Sequence, residues 1–190
     1  FPIPIGTHRV NISDKILMPG IIDVHAHYPH AQDVLEPISP FTYSNLAYGT
    51  TTLRDPQCSS QIFIYKELIQ AGKVAGPRIY STGPGIFPFD QLDSYEKIKN
   101  RLKIYANRYQ THLIKSYLIG NRQQRSWIIE ASRELGLMPT TEGGADTKLN
   151  ITHALDGFSG NEHAIPTAPL YRDIIQLFGQ SRIAYAPTLL

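Results

Sequence analysis

The chain is poor in the features that would place it at once. Its 190 residues include one cysteine, Cys58, one tryptophan and two methionines. A lone cysteine excludes an internal disulfide and leaves the compartment open. With no nucleophile context around it, Cys58 reads as inert. No apolar run reaches the roughly 18 residues that a membrane span needs. Phe1-Pro2-Ile3-Pro4-Ile5 is too short for a signal peptide and lacks the leading positive charge. Charge of either sign is sparse: Lys and Arg number 18, Asp and Glu 16, a net +2 with no basic block. Neither nucleic acid nor a membrane is therefore expected as a partner. Low-complexity tracts and close repeats are missing too. The first residue is not methionine, which suggests a cut or processed N-terminus.

What is present is a rhythm. Hydrophobic residues make up 42% of the chain and charged residues 18%, enough apolar material for one core of ordinary size. After a polar turn at Ser13-Asp14-Lys15, short apolar runs alternate with Gly- or Pro-containing loops and helical stretches. The patterning predicts strands over Ile21–His25, Thr50–Arg54, Arg78–Ser81, Leu113–Ser116, Met138–Thr141, Asn161–Ala164 and Ile183–Pro187. It predicts helices over Gln61–Ala71, Ser94–Arg108, Gln123–Leu135 and Leu170–Phe178, several stopping at a glycine. Strand and helix in alternation give an α/β protein with a parallel sheet, barrel or open. Strands that are apolar throughout imply cover on both faces. Seven strands fall short of the eight in a closed barrel, which typically takes about 250 residues, so a fragment is expected.

The most informative string is Met18-Pro19-Gly20-Ile21-Ile22-Asp23-Val24-His25-Ala26-His27. On a strand, His25 and His27 project to one side, where two imidazoles can share a metal ion. The plain alternative is two inert histidines hydrogen-bonded on a half-buried strand. Lys115, in His112-Leu113-Ile114-Lys115-Ser116-Tyr117, ends another apolar strand. A lysine there is costly unless its ammonium reaches solvent, meets a carboxylate, or is neutral. Further along stand Thr140-Thr141-Glu142-Gly143-Gly144 and Asp156-Gly157, then Glu162-His163. Read alone, Glu142 is a solvated loop residue or a carboxylate ligand, and His163 a structural histidine or a ligand.

Taken in order, these strings resemble the amidohydrolase superfamily, metal-dependent hydrolases built on a distorted (β/α)8 TIM barrel, in its imidazolonepropionase-like and prolidase-like branches. The resemblance runs from about His8 to Leu190. It implies residues 1–16 as a remnant of a small flanking β-domain and 17–190 as a partial barrel. It also implies a metal site with His25 and His27 on a first ion, Lys115 as a CO2-derived carbamate bridging to a second, and Glu142 and His163 completing the set. Glu142 stands where the family commonly has a histidine. Zinc suits such mixed ligands best, with Mn, Fe or Co close behind. The implied reaction is attack of metal-activated water on a C–N bond of an amide, cyclic amide or dipeptide, a small-molecule substrate. Tyr117 would polarise the substrate carbonyl, or simply pack. The family's general-base aspartate, at the end of an eighth strand, is not in this chain. Asp156 and Asp173 are poor substitutes. The alternatives are a non-catalytic barrel fragment and a small-molecule-binding module that takes metal weakly or not at all. A homo-oligomer, or a remainder of the chain, would complete the fold.

Other residues carry weaker expectations. Arg54 and Asp55 form an ion pair with each other or line the pocket. Strand alternation turns Glu162 away from His163, toward packing or a contact behind the ligands. Gly83-Pro84-Gly85 is a turn, and His30 and His153 have no motif support.

Overall fold

Thr50-Thr51-Thr52, Met138 to Thr141 and the other β-rich runs become strands, and each is followed by a helix or loop that returns the chain for parallel pairing. A computed structural model describes residues 2–29 and 38–188. His30 lies outside the described residues, as do Leu189 and Leu190. Among the described residues seven strands alternate with six α-helices: β1 (Ile21–Asp23), α1 (Pro40–Ala47), β2 (Thr50–Asp55), α2 (Ile62–Gln70), β3 (Arg78–Ser81), α3 (Tyr95–Ile104), β4 (Leu113–Tyr117), α4 (Arg122–Glu134), β5 (Met138–Glu142), α5 (Thr147–Asp156), β6 (Gly160–Glu162), α6 (Arg172–Ser181) and β7 (Ala184–Ala186). A π-helical turn, Tyr105–Tyr109, extends α3.

All the pairings are parallel, and they form two sheets. One has the order β1-β2-β3 and the other β4-β5-β6-β7. In the second sheet the register sets Tyr117 beside Glu142 and Glu142 beside Glu162, so the C-terminal strand tips line up. The sheets meet through Ile86, which donates its N–H to the Lys115 carbonyl at 2.8 Å and accepts from the Tyr117 N–H at 2.8 Å. The architecture of the described residues is an alternating parallel α/β fold, with strand pairing in two sheets.

Local chemistry explains the helices. Ser94 accepts from the Lys97 N–H to cap α3. Asn121 and Gln124 cap α4 reciprocally, a capping box. Two helices were absent from the periodicity. For α1 the signal is Ser39 followed by Pro40 at the first helical position. For α5 it is Asp146, which accepts from the Leu149 N–H, and Gly157, which ends the helix at φ 95° where a side chain would be strained.

One core cluster packs α3 and α4 on β4 through Ile98, Leu102, Ile114 and Ile128, with Ile86 among them. A second joins Leu53 and Ile79 of the first sheet to Ile62 and Tyr65 of α2. Each fully buried aliphatic side chain of this kind contributes about 1.5–3 kcal/mol. Cover is uneven, against the expectation from the apolar strands. β1 is exposed along its whole length, and no residue of α6 is buried. Residues 2–20 are exposed and form no strand, including those expected to belong to a β-domain remnant.

Candidate active site at the strand tips

The first strand ends at Asp23, two residues earlier than the pattern suggested. The Asp23 carboxylate accepts from the His25 N–H at 3.0 Å, and this local turn carries the chain off the strand. His25 and His27 are therefore not placed by strand alternation, yet their ring centroids lie 5.1 Å apart. The His25 Nδ1 faces the Glu162 Oε2 at 2.9 Å, while its Nε2 is buried and has no hydrogen-bond partner. The His27 Nδ1 faces the Gln57 carbonyl oxygen at 3.3 Å.

His163 reaches the same place from the other sheet. The strand ends at Glu162, and His163 takes a left-handed backbone conformation, φ 65°. That turn breaks the alternation, so Glu162 and His163 both reach the site rather than facing apart. Their neighbour Asn161 points outward and donates to the Asn150 Oδ1 at 2.7 Å. The His163 ring lies 4.6 Å from that of His25, and its Nε2 is 3.3 Å from the Glu142 Oε2.

Lys115 has no exposed surface. Its Nζ donates to the same Glu142 Oε2 at 2.9 Å and lies 4.8 Å from the centre of the Tyr117 ring. Burial lowers its pKa, and the Glu142 charge opposes that shift. Tyr117 stacks on Phe87 at 4.9 Å with nearly parallel planes. Burial, then the charges of Glu142 and Asp55, raise its hydroxyl pKa, so it remains a proton donor at neutral pH.

Arg54 does not pair with Asp55. Its Nη1 meets the Glu162 Oε1 at 2.7 Å and the Val24 carbonyl at 3.2 Å, and its Nη2 donates to the Thr140 Oγ1 at 2.8 Å. Alternation along β2 explains this: Asp55 turns the other way and accepts from the Ser81 hydroxyl at 2.6 Å and the Tyr28 N–H at 2.9 Å. Burial raises the Asp55 pKa. Burial would also raise that of Glu162, but the His25 hydrogen bond and the Arg54 and Lys115 charges outweigh it and hold the carboxyl down to about 2. A cavity of about 350 Å³ extends toward the N-terminal ends of the strands, lined by Arg54, Glu162, Leu113, Met138 and Ala184. It is not lined by the histidines, Lys115 or Glu142.

The structure thus gathers His25, His27, Lys115, Glu142 and His163 with Tyr117 beside them. Among the described residues no three His, Cys, Asp or Glu side chains are arranged to hold a metal ion. The carboxylates are engaged by Lys115, Arg54 and His25. Sequence reasoning missed Arg54 as the partner of Glu162; the available signal was strand alternation, which turns Arg54 away from its neighbour Asp55. Cys58 is buried, and burial pushes its thiol up to about 11, in keeping with an inert side chain. No helix among the described residues is long and apolar enough to cross a membrane.

No protein-family model matches the chain, and no curated protein sequence matches it. Solved structures do. An uncharacterized protein superimposes with a TM-score of 0.71 at 15% identity, over 90% of this chain and 53% of that one. Bottromycin amidohydrolase superimposes with a TM-score of 0.62 at 15% identity, over 86% of this chain and 37% of that one. The chain spans about half the length of the first structure and less of the second. At this identity the likeness is one of fold: an alternating α/β architecture shared with an amidohydrolase.

Proposed function

We propose that this chain supplies most of the metal-binding face of a hydrolase acting on C–N bonds: amide, cyclic amide or dipeptide. The observation that carries the reading is the His25 ring, flanked by the His27 and His163 rings, with its Nε2 buried and without a partner. A buried ring nitrogen left unsatisfied is costly, and an electron-pair acceptor would satisfy it. His25, His27, Glu142 and His163 offer the nitrogen and carboxylate donors that suit zinc. A divalent ion bound there would supply Lewis acidity and lower the pKa of water.

The chain's own residues have definable parts. Lys115, its pKa lowered by burial, can lose a proton and add through Nζ to CO2; the resulting N–C bond and second proton loss yield a carbamate. That would convert a cation into an anionic ligand and free Glu142 from its present ion pair. The Tyr117 hydroxyl can donate to a substrate carbonyl oxygen as negative charge develops on it. The Glu142–Lys115 pair favours one other reading, a fold that binds small molecules without metal, because that carboxylate is already neutralised.

Metal analysis after incubation with zinc and bicarbonate decides between the two. The hydrolase reading expects one to two zinc ions per chain, a carbamate carbon signal from labelled bicarbonate that Lys115→Ala abolishes, and hydrolysis of amide or dipeptide substrates. Well under one zinc per chain would overturn it.

A further inference from the structure

We propose that Glu162 is a positioning residue that fixes the tautomer of His25, with Arg54 holding the Glu162 carboxylate in place. A carboxylate only accepts hydrogen bonds. With Oε2 at 2.9 Å, the His25 Nδ1 must therefore carry the proton, and in the neutral ring Nε2 is left with its lone pair. That Nε2 is buried and unpartnered, on a ring whose neighbours are the other two histidines. A ring of the opposite tautomer would bury an N–H there and set two acceptors against each other at Nδ1.

Glu162 is well built for this. It is 3% exposed, and its second oxygen is taken by the Arg54 Nη1 at 2.7 Å. Arg54 is itself fixed by the Thr140 hydroxyl on β5 and the Val24 carbonyl just after β1. The Thr140 hydroxyl in turn donates to the Ile114 carbonyl on β4 at 3.1 Å. The carboxylate is thus referenced to both sheets, and its free edge faces His25. His27 reaches the same tautomer more loosely, through a backbone carbonyl at 3.3 Å. His163 differs, because its Nε2 faces the Glu142 carboxylate. The consequence for metal affinity rests on the hydrolase reading; the tautomer does not.

The test is nitrogen NMR of the histidine rings in metal-free, 15N-labelled protein at about pH 8, where an ordinary imidazole is neutral. His25 should be the Nδ1–H form. In Glu162→Gln, Arg54 is donor-only and takes the new amide's oxygen, so its NH2 faces the His25 Nδ1. His25 should then switch to the Nε2–H form while His27 does not, and zinc affinity should fall roughly 10–100-fold. A purely packing role would leave the tautomer untouched. A wild-type His25 that is Nε2–H or doubly protonated overturns the proposal, whether or not the variant folds; so does a folded variant with an unchanged ring. A wild-type Nδ1–H ring in protein that takes no zinc would uphold this assignment and sink only the hydrolase reading.

Discussion

At the strand tips the buried Glu162 and Lys115 and the half-buried Arg54 have partners of opposite sign, whereas His153, in the last turn of α5, is buried with a cation as its strongest charged neighbour. Burial opposes ionisation in both places, and the outcome differs. Glu162 stays an anion because a hydrogen bond and two positive charges outweigh desolvation. At His153 the compensation falls short: burial, then the Arg125 charge, outweighs Asn161 and the charges of Asp156 and Asp146 and pushes its pKa down to about 4. The tip cluster stores charge in a network, and the α5 site stores a neutral ring. The lesson is that depth in the fold does not decide protonation; partners do.

The largest effect should come from removing a member of the network. Glu162→Ala strands Arg54 without its carboxylate and should cost about 3–5 kcal/mol by urea denaturation. A loss below about 1 kcal/mol would show the network to be slack, because that is what solvent-exposed pairs contribute. Next comes pH. His153 takes up a proton near 6.5 when unfolded and near 4 when folded, so stability is full above that window and falls as pH drops through it. The drop should amount to roughly 3 kcal/mol, and His153→Leu should flatten it. Glu162 takes over at lower pH. Its contribution is complete above its ordinary 4.5 and is lost as pH falls toward 2, so the two regions separate in a stability profile.

A double-mutant cycle on Lys115→Met and Glu142→Gln sharpens the comparison further. Each single change leaves a charge facing an uncharged group, and the double change leaves neither, so a coupling of about 1–3 kcal/mol is expected. An additive result would mean that Lys115 is already neutral and bonded without charge. The smallest effect belongs to Arg122, whose side chain is 67% exposed although it pairs with Asp156 at 2.7 Å. Arg122→Ala should cost under about 1 kcal/mol, measured in the same way.

Much of the fold was legible in the sequence because strands and amphipathic helices declare themselves by period. The seven strands fall within a few residues of the expected runs, as do α2, α3, α4 and α6. α1 and α5 did not, since Ser39-Pro40 and Asp146 with Gly157 mark them by their ends rather than by an apolar face. The separation into two sheets was not legible at all, for no local pattern shows that β4 meets the loop after β3, at Ile86, rather than pairing with β3 itself.

At the site, residue types could be read and contacts could not. His25 and His27 stand out by spacing, and Glu162-His163 by adjacency. The hydrogen bond from His25 to Glu162 spans 137 positions, beyond the reach of any local pattern. Alternation misled in one place and would have helped in another. It placed Glu162 and His163 on opposite faces, which the left-handed turn at His163 undoes. Applied to Arg54 and Asp55, it would have separated two neighbours that looked like a pair.

The Ile86 bridge also bears on how the protein can change over evolutionary time. Loops after strands ordinarily accept insertions and deletions with little penalty. The segment from Ser81 to Ile86 is an exception, because its far end is clamped to the backbone on either side of Ser116. Adding or deleting one residue there would shift which amide meets the Lys115 carbonyl, and the error would be passed straight to Lys115 and Tyr117. Beyond Ile86 the chain is exposed at Pro88 and Phe89, inside a turn that hydrogen bonds between Phe87 and Asp90 close. One half of the loop is thus metered, and an insertion at the exposed tip of the other would disturb the strands less.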